Sequence, residues 1–221
     1  MFRTASRLDQ QGIIALWKEA FGDSEASVSY FFESFPDCLS YVAEEDGQIV
    51  AMVHALPQVL SPDIPAAYLY AVATRKSHRG QGLCRELMAF AEEDLKKQFR
   101  CAVLTPGEPG LFRFYEKLDY QTEFYRTGTA FPGGTPISVE EYARLREQVL
   151  TVPHMVYDLA LLQYAQKVYG LTFYKTETGC AAVGHTTETL PEDCGGPPFA
   201  MLKWLGEPME LQNAYLGFAL E

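Results

Sequence analysis

The residues whose types and spacing most directly suggest chemistry are Arg75-Lys-Ser-His-Arg-Gly-Gln-Gly82, followed at once by Leu83-Cys-Arg85. Arg75, Lys76, His78, Arg79 and Arg85 fall within eleven residues of a chain whose formal net charge is −11. Glycines let a backbone approach an anion closely, and the unpaired N–H groups of a helix start carry partial positive charge. Flanking cations add attraction. The expected ligand is therefore a pyrophosphate. Spacing excludes two common phosphate loops: GxxxxGK[ST] is absent, and Gly80-Gln-Gly82-Leu-Cys-Arg85 lacks the third glycine of GxGxxG. The pattern R-x-x-G-x-G/A fits Arg79-Gly-Gln-Gly82-Leu-Cys84 except at its last position.

Other chemistries find little support. Cys38, Cys84, Cys101, Cys180 and Cys194 are odd in number, widely spaced and without a CxxC pair, so reduced thiols are expected rather than disulfides or zinc. His54, His78, His154 and His185 are equally scattered, and no metal site is expected. With 29 acidic against 18 basic residues the chain is not a general nucleic-acid binder, and a cationic or neutral partner is favoured. No apolar run approaches the ~18 residues of a membrane span. Met1-Phe-Arg-Thr-Ala5 leads into a polar stretch rather than a signal core, which predicts a cytoplasmic protein.

The elements around the basic loop follow from hydrophobic period. Asp9 is placed to cap a helix that buries Ile13, Ile14, Leu16, Trp17 and Ala20 and stops at Gly22. A short helix is expected over 27–35, then a hairpin of strands 39–43 and 49–56, a loop over 57–65 and a strand over 68–74. After the loop, Leu83, Leu87, Ala91, Leu95 and Phe99 recur every four residues and give a long helix its buried face. Glu92/Lys96 and Glu93/Lys97 are spaced to pair on its exposed side. A strand at 101–105, a short helix at 111–117 and a strand at 122–127 complete this half. Phe131-Pro-Gly-Gly-Thr-Pro136 reads as a linker. Beyond it come helices at 139–150 and 157–169, strands at 171–175 and 181–185, a Pro/Gly-rich loop and a strand at 199–205. That order repeats residues 9–74 in pattern, without a second glycine-rich loop.

Residues 79–84, the helix after them, the strand at 101–105 and Leu111-Phe-Arg-Phe-Tyr-Glu-Lys-Leu-Asp-Tyr120 together resemble the GCN5-related N-acetyltransferase (GNAT) superfamily, over roughly residues 1–127. The resemblance implies an α+β GNAT fold: a mixed, mostly antiparallel central sheet flanked by helices, over residues 1–130. Ala71-Val-Ala-Thr74 looks like the enhanced-intracellular-survival type, which appends a decayed second acetyltransferase-like domain. A smaller, truncated α+β domain is thus expected over 131–221.

In that family the R/Q-x-x-G-x-G/A loop holds the pyrophosphate of coenzyme A. By resemblance, Arg79, Gly80, Gln81, Gly82, Leu83, Cys84 and Arg85 would bind it, and Val72, Ala73 and Thr74 would supply backbone groups to the pantetheine and the thioester carbonyl. Tyr115, in a segment similar to the family's "FYEKLGF", would be the general acid near the sulfur. Two positions depart from the pattern: Cys84 stands for a small Gly/Ala, and Asp119 stands for a glycine at what would be a left-handed position that Asp tolerates.

The activity implied is acetyl-CoA-dependent transfer of an acetyl group to an amine of a small molecule or peptide. The alternative is a non-catalytic acyl-CoA-binding regulatory module. The base stays open among His54, Glu108, the C-terminal carboxylate of Glu221 and water.

Overall fold

The computed structural model describes residues 1–126, 130–191, 196–211 and 214–218. Cys194 and the Glu221 carboxylate lie outside them. The chain forms two compact units, and neither is a single run of sequence. Unit one is Met1–Pro57, Pro65–Leu104 and Trp204–Glu207; unit two is Gln58–Ile64, Thr105–Lys203 and Pro208–Glu221.

Unit one begins with β1 (Phe2–Thr4), α1 (Gln10–Phe21) and α2 (Glu25–Ser34). Ser6 caps the short 3-10 turn Arg7–Asp9 that leads into α1, its Oγ accepting from the Leu8 N–H. Asp9, expected to cap α1, makes no bond to the N–H groups of α1 and instead closes a capping box with Ser6. Its carboxylate accepts from Arg3 at 2.7 and 2.8 Å and from the Ser6 N–H at 2.7 Å. Gly22, at φ 82°, ends α1 as expected. The helix buries Ile13, Ile14, Leu16 and Trp17.

β2 (Leu39–Glu45) and β3 (Gln48–Leu60) form an antiparallel hairpin, whose turn places Asp46 and Gly47 at φ 49° and 74°. β3 runs four residues further than the pattern suggests. Pro57 is one of its exposed positions, a place where a strand tolerates a missing N–H. β4 (Ile64–Thr74) follows β3 in the sheet order β1-β2-β3-β4-β5. β5 (Cys101–Leu104) pairs with β4 in parallel, from Ala66↔Cys101 to Tyr68↔Val103. A parallel partner requires a crossover, which α3 (Leu83–Leu95) supplies. α3 buries Leu87, Met88, Ala91, Glu92 and Leu95. Its ion pairs form at i,i+3 instead of i,i+4, Lys96 with Glu93 and Lys97 with Asp94, because the helix ends at Leu95 and Glu92 is turned inward.

Unit two contains α4 (Pro109–Glu116), opened by Pro109 at its first turn, and β6 (Gln121–Tyr125). It continues with β7 (Thr135–Pro136), α5 (Val139–Val149), β8 (Met155–Val156) and α6 (Leu159–Tyr169). β9 (Thr172–Lys175), β10 (Cys180–Val183) and β11 (Thr187–Leu190) join β7 in a four-stranded sheet. β11 occupies part of the stretch expected to be loop. β12 (Pro198–Trp204) pairs antiparallel with β6.

At the centre of unit two, Arg146 is fully buried beside an equally buried Glu188, Nε to Oε1 at 3.2 Å. Tyr142 also donates to Glu188. Arg146 further donates to the Met155 and Leu216 carbonyls at 2.7 and 3.4 Å and lies 4.0 Å over the Tyr157 ring. Gly217, at φ 96°, passes so close that a Cβ there would sit 2.7 Å from Glu188 Oε1 and 2.9 Å from Arg146 Nη2.

Candidate active site

In unit one, β4 leads directly into the basic turn. The parallel ladder stops at Tyr68, yet β4 continues to Thr74, and within this extension Ala71 adopts φ 50°. A non-glycine residue in the left-handed region interrupts the pleat, so the strand changes direction where Val72, Ala73 and Thr74 are carried. Ala73 is buried, and Val72 and Thr74 are half-buried.

The turn is then built by two glycines. Gly80 stands at φ 79° and Gly82, the residue before α3, at φ 84°. No heavy atom lies within 4 Å of a Cβ built on Gly80, and only Glu86 Oε1 at 3.8 Å approaches one on Gly82. Glycine is required here by backbone direction, not by crowding. The Gly82 carbonyl accepts the first helical bond from the Glu86 N–H at 3.1 Å. The N–H groups of Leu83, Cys84 and Arg85 therefore precede the helical ladder. That is the arrangement an anion requires.

The cation cluster seen in sequence is divided in space. Arg75 pairs with Glu19 at 2.6 Å and donates to the Ile49 carbonyl through Nε and Nη2 at 3.3 and 3.2 Å. His78 sits between Ser77 Oγ at 2.8 Å and Glu45 at 3.3 Å. Arg79 spends Nε on the Thr74 carbonyl at 3.1 Å, which ties the turn to the strand end and leaves its terminal nitrogens. Arg85 is exposed and has no ion pair with any described residue. Arg79 and Arg85 are thus the arginines of the cluster left to meet an anion.

Cys84 points back toward β4. Burial pushes its thiol up to about 11, so it is neutral. The Thr74 side chain lies alongside and partly offsets that rise. A small uncharged side chain tucked against the strand does not obstruct the turn.

In unit two, Tyr115 is on α4 and 7 % exposed. Its ring meets Phe114 and Tyr120 edge-on, at 5.1 and 5.8 Å between centroids. The Tyr115 carbonyl accepts from the N–H groups of Leu118 and Tyr120 at 2.9 and 3.1 Å, closing the end of the helix. Asp119 takes φ 68°, the left-handed conformation expected of it. Glu108 precedes α4, is exposed and makes no capping bond.

His54, a candidate base, is removed by its surroundings. It is 0 % exposed, with Nδ1 2.8 Å from Ser40 Oγ. Trp17, Phe31 and Phe32 surround its ring at 5.2, 6.1 and 5.3 Å. Burial lowers its pKa to about 3, so it neither takes a proton near neutral pH nor reaches solvent. A hollow of about 690 Å³ lined by Arg7, Ile13, Phe32, Glu33 and Ser40 also opens in unit one. It lies at the start of β2, whereas the basic turn meets that strand at Glu45, its far end. It is a separate cavity. Among the described residues no group of three His, Cys, Asp or Glu side chains could hold a metal, and no helix is long and apolar enough to cross a membrane.

Comparison with known proteins bears on the same stretch. A family model described as an acetyltransferase (GNAT) domain matches residues 1–122. The chain is 28% identical over 116 residues to an Escherichia coli K12 protein named "Uncharacterized N-acetyltransferase YhbS", which covers 51% of this chain and 70% of that one. An Enterococcus faecalis V583 structure described as a "Probable N-Acyltransferase" superposes with TM-score 0.63 at 18% identity, over 85% of this chain. The chain spans 53% of the length of that protein. A Brucella melitensis GNAT structure in complex with acetyl-CoA gives TM-score 0.51 at 17% identity, over 72% of this chain and 96% of that one. The strand–glycine turn–helix unit in residues 64–95 thus sits inside a matched domain of known kind, and the chain belongs to the GNAT acetyltransferase family.

Proposed function

We propose that this protein is an acetyl-CoA-dependent N-acetyltransferase acting on an amine of a small molecule or peptide. The observation that carries this reading is the turn at Arg79–Arg85: two left-handed glycines, a helix start, and two arginines with nitrogens to spare, directly after a strand that outruns its partner. The same turn follows the R-x-x-G-x-G/A pattern that the family uses for coenzyme A, with Cys84 in place of its last residue. Acetyl-CoA supplies the thioester. Arg79, Gly80, Gln81, Gly82, Leu83, Cys84 and Arg85 hold its pyrophosphate through main-chain N–H groups and guanidinium charge. The backbone of Val72, Ala73 and Thr74 meets the pantetheine and the carbonyl oxygen.

Chemically, the amine nitrogen forms its bond to the carbonyl carbon, the carbon–sulfur bond breaks, and the nitrogen gives up a proton. An alkylammonium has pKa about 10.4, so deprotonation precedes attack. Tyr115 donates a hydrogen bond to the leaving sulfur. A phenol near pKa 10 and a thiol near 8.5 make full proton transfer uphill in water, so the hydroxyl acts first as a charge-stabilising donor. With His54 sealed and neutral, proton removal falls to water, to the exposed Glu108 or to the C-terminal carboxylate of Glu221.

Residues 131–221 are proposed to be a truncated GNAT-like region with a structural role, since they repeat the early element order without a second glycine turn. A cytoplasmic location is proposed with it. An acceptor screen with acetyl-CoA, read by thiol release, tests the activity. Titration should give one coenzyme A per chain. Two per chain would refute the structural role of the second region, and binding without turnover on any amine would favour the regulatory-module reading.

A further inference from the structure

Glu19, in the last turn of α1, holds the start of the basic turn at two points. Its Oε2 pairs with Arg75 Nη1 at 2.6 Å, and its Oε1 accepts from the Lys76 backbone N–H at 2.9 Å. Arg75 is fixed from the other side as well, by the Ile49 carbonyl and by its own N–H donating to the Val50 carbonyl at 2.8 Å. Two successive residues at the exit of β4 are thereby oriented by one carboxylate. The pair is only partly exposed, 15% for the Arg75 side chain and 28% for Glu19. The Lys76 N–H and the neighbouring Arg75 hold the Glu19 carboxyl below its usual range, so it stays charged.

A negative charge beside an anion site is unfavourable on electrostatic grounds alone. Removing a unit charge on the order of 10 Å away in water would tighten binding of an anion by about twofold. Glu19 is nonetheless there, and what it touches is the backbone that enters the glycine turn. We propose that Glu19 is a positioning residue for coenzyme binding: by clamping Arg75 and the Lys76 N–H, it fixes the direction in which Arg79–Arg85 present their N–H groups and guanidinium charge. This rests on the reading of that turn as the coenzyme site. It also explains why Arg75, first in the basic run, is structural: its charge is consumed in aiming the others.

The two effects have opposite signs, which makes the test decisive. Calorimetry with coenzyme A would compare the wild type with Glu19→Ala and Glu19→Gln. Positioning predicts that Glu19→Ala weakens binding by about five- to tenfold, the size of one ordinary net hydrogen bond at the coenzyme. Glu19→Gln, which keeps an oxygen for the Lys76 N–H, should weaken it by a smaller factor. Unchanged or tighter binding by a folded Glu19→Ala protein overturns the proposal, even if its melting temperature falls. Should Glu19→Ala fail to fold, Glu19→Gln decides: weaker binding supports positioning, and unchanged or tighter binding overturns it. A wild type that does not bind coenzyme A overturns the functional reading itself, an outcome distinct from wild-type binding that Glu19 variants leave unaltered.

Discussion

His54 offers the sharpest test of how the interior is organised, because its environment assigns it a protonation state. In the unfolded chain its imidazole titrates near 6.5, whereas burial against Trp17, Phe31 and Phe32 lowers the folded value to about 3. Between those values the unfolded chain binds a proton that the folded protein does not. Stability from this site is complete above pH 6.5 and falls as the pH drops toward 3. At pH 5 the difference is about 1.5 pH units, or about 2 kcal/mol, at 1.36 kcal/mol per unit. The perturbation is acidification from pH 7.5 to 5, applied to the wild type and to His54→Gln, which has no ring to protonate. Urea unfolding should show the wild type losing about 2 kcal/mol more than the variant, a midpoint difference on the order of 1 M. The His54 ring signal should stay fixed through this range by NMR. A ring that titrates near 6.5, or equal losses in both proteins, would refute the argument and return His54 to the list of possible bases.

Three further outcomes follow from the geometry. Gly82→Asp places a Cβ at φ 84° and a carboxylate against the phosphates, so coenzyme A affinity should fall at least tenfold by calorimetry in a protein that still folds. Tyr115→Phe keeps the edge-on contacts with Phe114 and Tyr120 but loses the hydroxyl; kcat should drop about 10²–10³-fold while coenzyme affinity holds, and a kcat within threefold of wild type would exclude the phenol as donor. Glu188→Gln leaves buried Arg146 with only the part-exposed Glu147 carboxylate, 3.4 Å from Nη1, as a countercharge, which should destabilise the protein by about 3 kcal/mol in denaturant unfolding, with Arg146→Met and Glu188→Leu together recovering much of the loss.

What the sequence made legible was governed by local rules. Gly22 and Asp119 had to be left-handed because chain direction changes there, and both are. The apolar spacing of α1 and α3 placed their buried faces with little error, since a helix face depends only on residues three and four apart. Partners distant in sequence were not legible. Charge pattern alone could not say that Asp9 would turn to Arg3 instead of capping α1, or that Glu19 would claim Arg75 across 56 residues. Pro57 read as a break because a ladder normally needs every N–H, and only the strand's environment shows that this one is dispensable. The site split the same way. The glycine turn could be found from spacing, but the division of its cations between structure and ligand depended on carboxylates brought in from α1 and β2.

The cluster around Arg146 has a consequence for how this protein changes over generations. Arg146, Glu188, Tyr142, Tyr157 and Gly217 each satisfy another member's buried charge, hydrogen bond or close approach. Loss of any one alone strands a polar group in the interior or forces a side chain into occupied space, and each such step is strongly destabilising. Substitution therefore has to be concerted. Among relatives that share this arrangement, the five positions should be inherited as a block, either all retained or all replaced by an apolar core, with mixed combinations purged. A region with no glycine turn of its own can thus resist sequence drift as firmly as a catalytic one, through mutual dependence alone.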